Sequence, residues 1–186
     1  MCFPVWRKMF STPFSPHVGR GEYADVYDPA EDTFLLMDAL EKDIKEIKQL
    51  CPRICLEVGA GSGIVSVFLA SIVGPTSFYL CTDINPLAAV CSVESARCNG
   101  VNIQPIITDL VTGLLPRLQN QVDVLMFNPP YVVTPSEEVV MALRHLGLVA
   151  KEVVKSWIGS FLRSQPSCQA RDYFIWLQLR KMTQRR

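Results

Sequence analysis

The sequence predicts an α/β protein built on a doubly wound parallel sheet, and three observations carry that reading. Four short apolar runs, at Ile54–Val58, Phe78–Thr82, Ile103–Ile107 and Val122–Phe127, each end in a glycine-rich or polar element. They alternate with stretches of helical character, the pattern of parallel strands joined by helical crossovers. The first run opens into Gly59-Ala60-Gly61-Ser62-Gly63, and the second ends in an acid, Asp83, 20 residues past Gly63. Open α/β sheets bind ligands at the carboxyl ends of their strands, so a site is expected along one edge of this sheet.

Residues 1–26 read as irregular, with Pro4, Pro13, Pro16, Gly19 and Gly21 as breakers, and order is expected from Tyr27. Asp28-Pro29-Ala30-Glu31 carries helix-start signals: an Asp cap, proline at the first helical position and Glu three residues after the cap. Phe34, Leu35, Met37, Leu40, Ile44 and Ile47 recur at helical spacing, which predicts one amphipathic helix ending before Pro52. Its first turn, around Thr33, is placed to roof a ligand, although the periodicity by itself favours simple packing.

The glycines after Ile54–Val58 permit a tight turn into a helix, Ile64–Val73, and let backbone N–H groups approach a ligand closely. Asp83 suits the two ribose hydroxyls of an adenosine, and it also suits a cap on the next helix, Asn85–Cys98. After Ile103–Ile107 come Thr108-Asp109-Leu110, where the carboxylate and its backbone neighbour are placed to hold an adenine amino group. The last run, Val122–Phe127, must stop at Asn128-Pro129-Pro130-Tyr131, because proline has no N–H for the ladder. A primary amide, two fixed rings and a phenol make rigid acceptors and a stacking face for a flat group carrying an NH2.

At 186 residues the chain reads as one domain, and a core of this size needs no disulfides. Its seven cysteines are odd in number and, with only His17 and His145, show no metal-type spacing, so they read as reduced thiols and no metal is expected. The longest apolar run, Ile64–Val73, falls far short of the roughly 20 residues of a membrane span. The N-terminus carries Arg7 and Lys8 where a signal peptide would be apolar. A cytoplasmic protein is expected, with the nucleus left open. The net charge of zero conceals a break, since residues 1–138 hold 9 Lys/Arg against 16 Asp/Glu and residues 139–186 hold 9 against 2. An acidic site-bearing part argues against nucleic acid as partner.

The dinucleotide fingerprint wants glycine or alanine five positions after its first glycine, and that residue is Ile64. Glu57 sits badly beside a pyrophosphate and well beside a cation such as S-adenosylmethionine. Together, Glu57-Val58-Gly59-Ala60-Gly61-Ser62-Gly63, Asp83-Ile84-Asn85-Pro86, Thr108-Asp109-Leu110 and Asn128-Pro129-Pro130-Tyr131-Val132 resemble the class I methyltransferases of the HemK type, a Rossmann-like fold. With Tyr27-Asp28-Pro29-Ala30-Glu31-Asp32-Thr33-Phe34-Leu35-Leu36 added, the resemblance is to the eukaryotic branch and covers about residues 17–138. It implies S-adenosylmethionine held by Thr33, Glu57, Gly59, Gly61, Gly63, Asp83, Ile84, Asp109, Leu110 and Asn128, with Asn128, Pro129 and Tyr131 catalytic. It further implies methylation of the glutamine in the Gly-Gly-Gln loop of a class I peptide release factor, in a heterodimer with a small zinc-binding activator subunit. Adenine or protein lysine as substrate, and a non-catalytic partner-binding remnant, stand as alternatives.

The family pattern stops at Glu138, so 27–138 reads as the methyltransferase domain with its sheet cut off after the fourth strand. The basic tail has one short apolar stretch, Tyr173–Leu177. Read from the last base of each codon, Met141-Ala142 forces Gly, while Trp157-Ile158 and Met182-Thr183 each force Asp. Permitted codons from Val140 to Gly147 yield His-Gly-Ile-Glu-Ala-Leu-Gly, similar to the family's own continuation. A frameshifted or alternatively spliced tail is the expectation, leaving an open edge on the strand before Asn128 and a weakened or inactive enzyme.

Overall fold

The computed structural model describes residues 9–115, 117–119 and 121–128, together with the backbone of residues 175–178. Four strands, β1 (Ile54–Val58), β2 (Phe78–Asp83), β3 (Gln104–Ile107) and β4 (Val124–Phe127), pair in parallel in the order β3-β2-β1-β4. The chain steps outward from β1 through β2 to β3, then crosses back to the other side of β1 as β4. The strand order therefore reverses between β1 and β4, and there the carboxyl ends of the two strands leave a crevice. Gly59 leaves β1 and Asn128 leaves β4 at that point.

Alternation along the strands buries both faces of the sheet. Cys55, Val124 and Met126 pack with the helices on one side, whereas Leu56, Val58, Leu125 and Phe127 pack with Val111 and Leu114 on the other. The start of the sheet is pinned by Asp123, whose Oδ2 accepts the backbone N–H groups of Arg53 (2.8 Å) and Ile54 (3.0 Å).

The apolar stretch of the tail has a backbone partner. Ile175–Gln178 forms β5, antiparallel to β4, with Leu177 opposite Leu125 and Ile175 opposite Phe127. The expected open edge on β4 is thus corrected, because the outer N–H and C=O groups of a buried strand need partners and these four residues supply them. The remaining expectations for residues 139–174 and 179–186 lie outside the described residues.

One helix was expected before β1, and the structure has two, α1 (Glu31–Lys42) and α2 (Ile44–Gln49), hinged at Asp43 (φ −97°, ψ 13°). The hinge brings Ile44 and Ile47 into the same core cluster as Leu36, Met37 and Leu40. Asp28 does not cap α1. The cap position is Ala30, whose N–H donates to Thr33 Oγ1 (3.4 Å), and the Asp28 side chain lies against Gly19 instead. After β1 comes α3 (Ile64–Val73), and after β2 comes α4 (Pro86–Cys98), started by Asn85 Oδ1 accepting the Leu87 N–H at 2.9 Å.

Residues 1–26 were expected to be irregular, but the described part, residues 9–26, contains a short 3-10 helix, Gly21–Tyr23, and is packed. Val18, Tyr23 and Val26 are buried with Ala88 and Cys91 of α4, and the Asn99 side chain pairs with both backbone groups of Phe14. Among the described residues no helix is long and apolar enough to cross a membrane, and no His/Cys/Asp/Glu group could hold a metal ion. The described cysteines are free thiols; burial pushes Cys55 and Cys81 up to about 12 and Cys91 up to about 11, so all three stay protonated.

Candidate functional site

The glycine turn forms because each glycine takes a left-handed φ that a side chain would oppose: +67° at Gly59, +53° at Gly61 and +69° at Gly63. Their surroundings differ. A Cβ on Gly59 would meet only Phe127 Cε2, at 3.9 Å, and one on Gly61 only Tyr27 Cβ, at 3.6 Å. Those two glycines face the crevice between Tyr27 and Phe127. A Cβ on Gly63 would sit 2.5 Å from Ser92 Cβ, so Gly63 owes its lack of a side chain to close packing of α3 on α4.

Two acids flank the turn. Asp83 holds it directly, with Oδ2 accepting the Gly61 N–H at 2.8 Å and Oδ1 accepting the Asn85 N–H at 2.9 Å. Each carboxylate oxygen keeps a second lone pair for a ribose hydroxyl. Glu57 is 3% exposed, and its Oε2 accepts from the Ser66 backbone N–H (2.9 Å) and hydroxyl (2.5 Å) in the first turn of α3. Burial pushes Glu57 up to about 7 and the charge of Asp83 pushes the same way, while the two Ser66 bonds pull it down.

The Thr108-Asp109-Leu110 turn lies beside Asp83, because the Thr108 N–H donates to the Asp83 carbonyl at 2.9 Å. Leu110 takes a left-handed φ of +47°, a strained conformation that for a non-glycine residue costs about 1 kcal/mol. Asp109 is exposed, and Ile84, at the end of β2, is 71% exposed. An apolar side chain so placed offers a face for a flat base. Thr33 is buried and spends its hydroxyl on the start of α1.

At the end of β4, Asn128 Nδ2 donates to Asp32 Oδ2 at 2.5 Å, and the Tyr27 hydroxyl donates to Asp32 Oδ1 at 2.9 Å. Sequence reasoning did not single out Asp32. It lies 96 residues from Asn128, and its only signal was its place beside Thr33 in the Tyr27–Leu36 stretch. Pro129, Pro130 and Tyr131 lie outside the described residues. The structure thus joins Gly61 to Asp83 and Asn128 to Asp32, sets Gly59 and Asn128 at the adjacent ends of β1 and β4, ties Thr108-Asp109-Leu110 to Asp83, and turns the Glu57 carboxylate to Ser66 of α3.

A family model described as the methyltransferase small domain matches residues 26–156. The chain belongs to that family. The match to this methyltransferase domain runs past Glu138, where the motifs alone placed the end of the family pattern. A human relative, Methyltransferase HEMK2, is 66% identical over 130 residues, covering 70% of this chain and 60% of the human protein. The eRF1 methyltransferase catalytic subunit mtq2 of Schizosaccharomyces pombe is 40% identical over 144 residues, covering 70% of this chain and 61% of that protein. The chain therefore spans about three-fifths of the length of these relatives. A solved structure of the METTL16 MTase domain aligns with a TM-score of 0.51 at 17% identity, covering 82% of this chain and 68% of that one, which shows a shared fold.

S-adenosylmethionine is the methyl donor of this family. The residues present fit it. Gly59 and Gly61 leave room beside the turn, and the acids around it suit a cation bearing a ribose.

Proposed function

We propose that the complete protein transfers a methyl group from S-adenosylmethionine to the side-chain nitrogen of a glutamine in a class I peptide release factor. One observation carries the reading: the amide of Asn128 is fixed at the switch-point crevice, next to the glycine turn, by a buried carboxylate. When bound by the glycine turn and Asp83, the donor would supply an electrophilic sulfonium methyl to the target nitrogen, the sulfur keeping the bonding pair and one N–H proton passing to water. The work left to the protein is orientation, since an amide nitrogen is a poor nucleophile whose lone pair is delocalised. Asn128 Oδ1 accepts one N–H of the target NH2 and, on the sequence reading, the Pro129 carbonyl accepts the other while Tyr131 packs on the plane. These acceptors turn the nitrogen toward the methyl and stabilise the positive charge that develops on it.

The name of the fission yeast relative supports a release factor as substrate, and its designation as a catalytic subunit supports a heteromer. The resemblance makes the second subunit a small zinc-binding activator. Leu87, Val90 and Val93, exposed apolar side chains on α4, support a protein partner. The acidic surroundings of the site favour a protein over a phosphate-bearing substrate.

The test is radiolabel transfer to a release factor, with and without activator. Asn128→Ala is expected to lower turnover on the order of 10²-fold while S-adenosylmethionine affinity stays nearly constant, because the contact matters mainly in the transition state. Equal loss of both would make Asn128 structural. Transfer to adenine or lysine in preference to glutamine would overturn the substrate.

A further inference from the structure

We infer that Asp32 is the positioning residue that sets the polarity of the Asn128 amide, with Tyr27 holding Asp32 in turn; this rests on the methyl-transfer reading above. Asp32 is 4% exposed, and its two carboxylate oxygens accept from different partners, Oδ2 from Asn128 Nδ2 at 2.5 Å and Oδ1 from the Tyr27 hydroxyl at 2.9 Å. A carboxylate accepts and does not donate, so only the NH2 arm of the amide can face it. Turning the amide over would set oxygen against oxygen in a site with little water to intervene. With Nδ2 committed to Asp32, the acceptor Oδ1 is carried on the opposite arm of the planar group.

The consequence is selectivity within the substrate. The two ends of a glutamine amide are nearly the same shape, and packing alone does not tell NH2 from oxygen. A fixed acceptor does, because it binds the NH2 end and opposes the carbonyl end. Asp32 therefore acts through Asn128 to bring nitrogen, not oxygen, to the methyl. Tyr27 donates to Asp32 Oδ1 from the segment just before α1, so that segment helps hold Asp32 in register with the end of β4.

The test substitutes Asp32→Asn, which keeps shape but both donates and accepts, so the Asn128 amide can settle either way up. In the full chain, the Asn128 side-chain amide proton resonances are expected to move upfield on loss of the charged acceptor. The kcat for a Gly-Gly-Gln peptide is expected to fall on the order of 10²-fold, with S-adenosylmethionine Kd unchanged and no further fall in an Asn128→Ala background. Tyr27→Phe, a milder change, is expected to give a smaller loss with the same dependence on Asn128. Unmoved Asn128 resonances, a loss that persists in the Asn128→Ala background, or a parallel loss of cofactor affinity would each overturn the inference. If the unaltered chain transfers nothing to the peptide, the amide resonances alone decide the role of Asp32, and the function proposed for the complete protein is decided separately by the radiolabel transfer above.

Discussion

Glu57 couples the site to pH. Its carboxyl is pushed up to about 7 by burial, so between 4.5 and 7 the folded chain holds a proton that the unfolded chain has released. Stability contributed at this residue is therefore highest below that window and declines as pH rises through it, by a total of about 3 kcal/mol. Urea unfolding between pH 4 and 8 measures this, and Glu57→Gln is expected to flatten the decline. A bound cation favours the charged form, so uptake of S-adenosylmethionine at pH 6 should release protons. Calorimetry in two buffers of different ionisation enthalpy reads that release directly. Glu57 and Asp83 were legible in the sequence because each is the acid at a strand end beside a glycine turn. Asp32 was not, because its role depends on a partner on another element, and no local pattern encodes that meeting.

The glycine turn, β1 and α3 were legible almost to the residue, since an apolar run, a left-handed turn and a second apolar run leave little freedom in where elements start. The hinge at Asp43 and the antiparallel β5 were hidden, because both are set by what the element packs against. The structure divides the glycines by their surroundings. Gly63→Ala forces a methyl against Ser92 as well as an unfavourable φ, and is expected to destabilise the fold by about 2–4 kcal/mol. Gly59→Ala meets nothing closer than 3.9 Å, so it should cost only about 1–2 kcal/mol of backbone strain while weakening S-adenosylmethionine binding more than Gly63→Ala does. Thermal unfolding and calorimetry on the two variants separate these effects. For β5, Leu177→Pro removes an N–H from a strand laid against β4, and is expected to lower the unfolding midpoint and raise light scattering as the β4 edge is exposed. Unchanged melting and scattering would show that β5 contributes nothing to the stability of β4.

At the scale of the whole chain, the residues proposed to hold the donor and those proposed to orient the target amide fall in the same part of the sequence. All four parallel strands, the glycine turn, Asp83 and the Asp32–Asn128 pair fall within the acidic residues 1–138, while residues 139–186 carry a net charge of opposite sign. The sequence reading makes that basic part a frameshifted or alternatively spliced continuation, and a reading frame encoding it in every transcript would overturn that origin. The residues proposed to hold the donor all lie in the first part, whereas on the sequence reading the family's own continuation after Glu138 is lost. We therefore predict that this chain binds S-adenosylmethionine with an affinity close to that of the human relative, of which it spans 60%, but transfers the methyl group far more slowly. Saturation at 100 times Kd should stabilise it by about 2.7 kcal/mol, visible as a shift in thermal midpoint even where turnover is undetectable. Both quantities are measured side by side on the two proteins with activator present. Equal turnover would overturn the expectation that the basic tail weakens the enzyme, and absence of a thermal shift would mean that the parallel half does not hold the donor by itself.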